Sequence, residues 1–203
     1  MSTSKKVWIP AILIVIAGLL LVAYSLYLEM NGTHPGPSRG GGGLPPEGGK
    51  KEGELFEWLG TAAVVCGAVS FLWLRFKKKL RSPSEFVRTA GGLLRRLHTW
   101  MGWTALVLVG VHGVYYLVTK LQDHKIYTGL AAFLILAALA GYGWLMPRIR
   151  NVWMRKVHLL LSLVWIPLLL LHAGGSAILT VAVTAAVWVL VGFLDRRSSL
   201  QKV

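Results

Sequence analysis

Four histidines carry the chemistry that this sequence could perform. His98 and His112 lie fourteen residues apart in one apolar, helix-length stretch, and His158 and His172 lie fourteen apart in another. At about 100° per residue, fourteen steps return a side chain to within ~40° of its starting direction, so each pair shares one helix face. At ~1.5 Å rise per residue the rings of a pair stand roughly 21 Å apart along the axis. Two such helices side by side would present two levels of facing imidazoles. That geometry suits two b-type haems, one above the other across a bilayer, each iron held by two histidines.

Residues around the histidines fit the same reading. Gly102 follows His98 by one turn, Gly110 and Gly113 flank His112, and Gly174 and Gly175 follow His172. Small residues would let a flat macrocycle approach the backbone, although they serve helix packing equally well. Trp100, Trp103, Trp153 and Trp165 could pack on the rings, or belong to an interfacial aromatic belt. Arg95, Arg96 and Arg155, with Lys156, precede the first histidine of each pair. They are candidate contacts for haem propionates, and the plainer account of them is ordinary charge at a membrane face. Pro167, five residues before His172, is expected to kink its helix and help aim that ring. A lone intramembrane histidine often only bonds a neighbouring helix. Four in two equal spacings are hard to assign to packing.

The elements that must position these residues follow from composition. The chain has 203 residues, 55% of them hydrophobic, with a mean hydropathy of +0.59, too apolar for an ordinary soluble domain. Apolar runs at about residues 7–28, 55–74, 97–118, 126–146, 157–173 and 176–194 predict an all-α polytopic membrane protein of six transmembrane helices. The first run resembles a signal peptide, but its core is too long and no small-residue cleavage motif follows, so it is read as a retained helix. Gly32 to Gly49 is a Gly/Pro-rich loop containing His34, and 84–97 mixes apolar and basic residues as a short interfacial helix would. His34 and His124 are expected to face solvent. Three parts result: residues 1–54, a transmembrane helix and outer loop; 55–195, a haem-binding bundle; and 196–203, a basic cytoplasmic tail. The single cysteine, Cys66, excludes an intrachain disulfide, and no CxxCH motif is present for covalent haem attachment.

Charge orients the helices. With both termini inside, 17 of the 22 basic residues fall in inner segments, while six of the eight acids fall outside. The +14 net charge is therefore a positive-inside signature, and no nucleic-acid partner is expected. The third and fifth spans then run parallel, pairing His98 with His158 on an inner haem and His112 with His172 on an outer one. The irons would be roughly 20 Å apart along the normal.

Two stretches, Leu97-His98-Thr99-Trp100-Met101-Gly102 through Val111-His112-Gly113, and Trp153-Met154-Arg155-Lys156-Val157-His158 through Leu171-His172-Ala173, resemble the ferric reductase-like transmembrane domain. The resemblance covers about residues 55–195. It implies two bis-histidine b haems passing electrons across the membrane. Larger members carry a flavin or nicotinamide domain. This sequence ends shortly after Leu194 and has no glycine-rich βαβ fingerprint, so electrons are expected from a separate protein or from membrane quinol.

The resulting expectation is a membrane cytochrome b with two haem b groups, in contact with the lipid bilayer, an electron-donor or acceptor protein and a possible quinone. Its expected location is a bacterial or archaeal cytoplasmic membrane. No acid/base or nucleophile constellation marks it as an enzyme on its own. A competing class is a metal-ion transporter or channel lined by the four histidines, for which Cys66 and Glu57 are the available co-ligands. A non-redox scaffold subunit is the third.

Overall fold

A computed structural model describes residues 3–32, 47–77, 79, 80, 82, 84–120, 123–149 and 151–200. His34, the glycine run after it, and Arg39, Lys78, Arg81, Arg150 and Lys202 lie outside the described residues, as do the side chains of Lys50 and Lys51. The architecture is all-α. Its elements are α1 (Thr3–Met30), α2 (Glu47–Phe76), α3 (Glu85–Thr119), α4 (Lys125–Leu145), α5 (Val152–Ala173) and α6 (Gly175–Leu200). All six are long and apolar enough to cross a membrane. Runs of Leu, Ala, Val and Ile form helices here because a helix bonds every backbone group within its own segment, as hydrocarbon requires. Large apolar side chains such as Leu13, Leu20, Val107, Val114, Leu179 and Val189 point outward, as expected of a surface facing lipid.

The ends of the helices are set locally. Asn151 caps α5, its side-chain oxygen accepting from the Trp153 backbone N–H at 2.9 Å. That cap starts α5 at Val152, five residues before the expected boundary, because the helix extends beyond the apolar run until its first amides find a partner. Only Gly174 separates α5 from α6, and its φ of 55° is a left-handed turn that a side chain would strain. The expected interfacial helix at 84–97 is instead the first part of α3. It contains no proline to interrupt it, and Val87 is fully buried against Phe76 and Val191, which gives this extension its own small core. Likewise Glu47–Gly49 belong to α2 rather than the loop, and α6 continues past Leu194.

α2, α3, α4 and α5 form the central bundle. α2 and α3 pack as one hairpin and α4 and α5 as another, with α3 also against α4 and α2 against α5. α3 and α5 thus sit diagonally opposite, and among the described residues no Cα of one comes within 8 Å of a Cα of the other. α1 lies outside α4 and α5, and α6 covers α2 and α5. The main core is built where α1, α4 and α5 meet, from Val7, Ala11, Ile135, Leu139, Met154, Val157 and Leu161 among others.

One end of the bundle is basic. Tyr142 Oη donates to the Val7 carbonyl, and Ser25 Oγ donates to the His124 carbonyl at 2.9 Å, so α1 runs antiparallel to α4. Lys79 and Ser82, beyond α2, bond the buried carboxylate of Asp195 on α6. These contacts gather Lys5, Lys6, Lys79, Arg95, Arg96, Arg155, Lys156 and Arg196 at the same end, with Glu54, Glu57, Lys120 and Asp123 at the other.

Candidate functional site

The diagonal helices α3 and α5 face each other through two pairs of histidines. The rings of His98 and His158 have centres 6.2 Å apart, and those of His112 and His172 have centres 6.3 Å apart. The first pair lies toward the basic end, the second toward the opposite end. The structure therefore brings together the same two pairs that the parallel spans predict. Two imidazoles bound at about 2 Å each to opposite sides of one metal ion would have ring centres roughly 6 Å apart. Both spacings match that figure.

Hydrogen bonding fixes which ring nitrogen is free. His98 Nδ1–H donates to the Ser70 carbonyl at 2.9 Å, and His112 Nδ1–H donates to the Phe56 carbonyl at 2.7 Å. On the other hairpin, His158 Nδ1–H donates to the Leu139 carbonyl at 3.1 Å. His172 Nδ1–H donates to Thr128 Oγ1 at 3.2 Å, while the Thr128 hydroxyl itself donates to the Lys125 carbonyl at 2.8 Å. A carbonyl can only accept, so each ring carries its proton on Nδ1 and keeps the Nε2 lone pair available. A second hydrogen bond of this kind fixes the tautomer and orientation of metal-binding histidines.

Three of the four acceptors were not predictable from side-chain type, because they act through backbone oxygen. On α2 their spacing repeats that of the histidines, with Phe56 and Ser70 fourteen apart, and on α4 Leu139 lies fourteen residues after Lys125, the carbonyl that the Thr128 hydroxyl engages. Glycines bring ring and carbonyl together. A Cβ on Gly60 would stand 2.8 Å from His112 Cε1, and one on Gly129 would stand 2.7 Å from His172 Cε1. Gly143 backs His158 at a looser 3.5 Å. Gly60 and Gly143 come four residues after the acceptors Phe56 and Leu139, Gly129 comes four after Lys125 and directly after Thr128, and the pair on α4 is again fourteen apart. That repeat was the available signal.

The glycines singled out beside the histidines serve differently. Around Gly110, Gly113, Gly174 and Gly175 a Cβ would meet nothing within 4 Å, and Gly102 would only touch Ser70 Oγ at 3.9 Å. These positions leave open space, not close packing.

Among the tryptophans, only Trp165 shares the histidine face. It is seven residues from both His158 and His172, within about 20° of the former. Its indole N–H donates to the Ala132 carbonyl at 3.1 Å, and its ring edge comes to 2.6 Å from a Cβ built on Gly67 of α2. Trp165 thus fills the level between the two pairs, from α4 across to α2. Trp100 is 72% exposed, about 200° around α3 from His98, and Trp153 packs edge-on against Trp8 of α1. Neither packs on the rings.

Arg95, Arg96 and Arg155 are all exposed. Arg95 and Arg155 each precede a histidine by three residues and lie about 60° from it around the helix, whereas Arg96 lies about 160° away. Arg96 is therefore turned from the site. His124, expected in solvent, is half-buried at the start of α4, its Nδ1 3.7 Å from the Asp123 carboxylate, and takes no part in either pair. Cys66 is half-buried and free. Among the described residues no three of His, Cys, Asp and Glu converge as an ion-binding group, so the nitrogen donors come strictly in twos. Comparison with known protein families, characterised proteins and solved structures finds no match for this chain.

Proposed function

We propose that this chain is a membrane cytochrome b that holds two haem b groups by bis-histidine ligation, in the manner of the ferric reductase-like transmembrane family. It would pass electrons across the membrane between a quinol or protein donor and a partner acceptor. The observation that carries the reading is the pairing of the rings: two pairs, centres 6.2 and 6.3 Å apart, with every Nδ1 already engaged. A pair of imidazoles supports haem better than a bare ion. Zinc and similar ions need about four protein or water ligands, whereas a porphyrin brings four of its own and leaves two axial places.

His98 and His158 would hold the haem nearer the basic end, and His112 and His172 the other. Among the described residues no Cα of α3 comes within 8 Å of one of α5, as a planar group held between them would require. Bound haem iron supplies one-electron exchange. The protein residues hold the rings, fix their tautomer and, through Trp165, keep water out of the level between the two sites. Arg95 and Arg155 would pair with propionates at the basic end. By the positive-inside rule that end, with both termini, faces the cytoplasm of a bacterium or archaeon.

The test is a dithionite-reduced minus oxidised visible spectrum of the purified protein, with pyridine haemochrome quantitation. Two b haems per chain are expected, falling to one in His112→Ala or His172→Ala and to one in His98→Ala or His158→Ala. A protein that purifies folded and colourless after expression with ample haem would overturn the proposal.

A further inference from the structure

A cleft on the flank of α5, about a quarter turn from the histidines, has a chemistry of its own. It lies between α1 and α5, opens to the bilayer, and holds about 150 Å³ between Ala11, Val15, Val157, Leu161 and Val164. Its lining is entirely hydrocarbon apart from Trp8 at one end. That end is the basic one. There Trp8 meets Trp153 edge-on, ring centres 6.2 Å apart, and the Lys156 ammonium sits over the Trp153 ring at 4.4 Å. Lys5 is exposed one turn before Trp8, on the same face of α1, and Lys6 is exposed beside it.

Apolar groove and cationic rim therefore adjoin along the membrane normal, in the order of a phospholipid's own parts. A groove of this volume takes part of one acyl chain. Ammonium groups beside two indoles at the interface attract a phosphate headgroup, and such basic pockets between transmembrane helices favour anionic lipids. We infer that the α1–α5 cleft is a binding site for one anionic phospholipid of the leaflet at the basic end, with its phosphate on Lys156 and Lys5 and an acyl chain against Val15, Val157 and Val164. The charge at the rim selects this occupant over an uncharged isoprenoid quinone. The quinone tail would fit the groove but gain nothing from three ammonium groups. The site would tie the peripheral helix α1 to the bundle.

Native mass spectrometry of the whole protein, titrated with phosphatidylglycerol, phosphatidylcholine and a menaquinone of matched chain length, tests this directly. One phosphatidylglycerol should persist through detergent exchange and outcompete the other two. The combined Lys5→Gln, Lys6→Gln, Lys156→Gln variant, all exposed positions, should bind it about tenfold or more weakly. Val15→Phe, which fills the groove, should abolish retention while the lysines remain. Equal retention of phosphatidylglycerol and phosphatidylcholine, an unaltered affinity in the lysine variant, or preference for the menaquinone would each overturn the inference. The readout is lipid mass and does not depend on the haem assignment, so either can fail alone.

Discussion

The α2–α3 and α4–α5 hairpins hold their histidines in the same way within different surroundings. In each, a helix that supplies two acceptors faces an antiparallel helix with two histidines fourteen apart. Yet α4 buries eight residues and α5 buries five, while the much longer α3 buries only Val87, Gly91 and Ala105. The imidazole register therefore does not depend on a dense core. It rests on carbonyl oxygens whose positions the helix itself dictates, and on glycines that let a ring come close. What the cover of α1 over α4 and α5 adds is resistance to displacement. α2 and α3 pack closely on each other but have less cover from other helices, and rely more on whatever spans the gap to α5.

The largest expected effects come from filling the glycine contacts. Gly129→Leu puts side-chain atoms where His172 now stands, and Gly60→Leu does so at His112. Each should remove one haem and leave the other, read by haemochrome stoichiometry. The two should differ in stability: Gly129→Leu overpacks a region covered by α1 at a cost of about 1–3 kcal/mol, whereas the α2–α3 hairpin, with less cover from other helices, should yield with a smaller fall in Tm. Equal falls would erase the distinction drawn between the hairpins. Next in size, protein prepared without haem should show faster amide exchange throughout the middle of α3, with α4 and α5 little changed. Uniform loosening of both hairpins would count against it.

A smaller contrast separates side chain from backbone. Thr128→Val removes the hydroxyl that accepts from His172 and should weaken haem retention at that level by about 10–100-fold. Ser70→Ala leaves its carbonyl in place for His98 and should change retention little, measured by transfer to apomyoglobin. Smallest of all, Gly143→Ala adds a Cβ at an ordinary 3.5 Å from His158, and both haem content and Tm should stay as they are.

Much of this was legible in the sequence. Six apolar runs of spanning length give six helices, and the equal spacing of His98/His112 and His158/His172 gives both pairs, since helix geometry converts spacing into direction. The continuity of α3 was hidden because the arginines of its first turns look interfacial, while the Val87–Phe76–Val191 contact that sustains the helix joins three distant parts of the chain. The early start of α5 depended on one cap at Asn151. The acceptors Phe56, Ser70 and Leu139 were invisible by type, because any residue offers a carbonyl. Among the tryptophans, sequence proximity pointed to four, and only Trp165 has both the face and the depth to lie between the pairs.

Each histidine finds its acceptor within its own hairpin: His98 and His112 on α2, His158 and His172 on α4. This bears on biogenesis. As the ribosome feeds the chain into the bilayer, α2 and α3 are complete well before α5 exists, so two imidazoles must wait in a nonpolar medium without their eventual counterparts. With Nδ1 already bonded inside the hairpin, only one nitrogen per ring is left bare, and each hairpin can enter as a tolerable half-assembled unit. On the proposed reading, haem would then be captured last, when the second hairpin arrives to close over it.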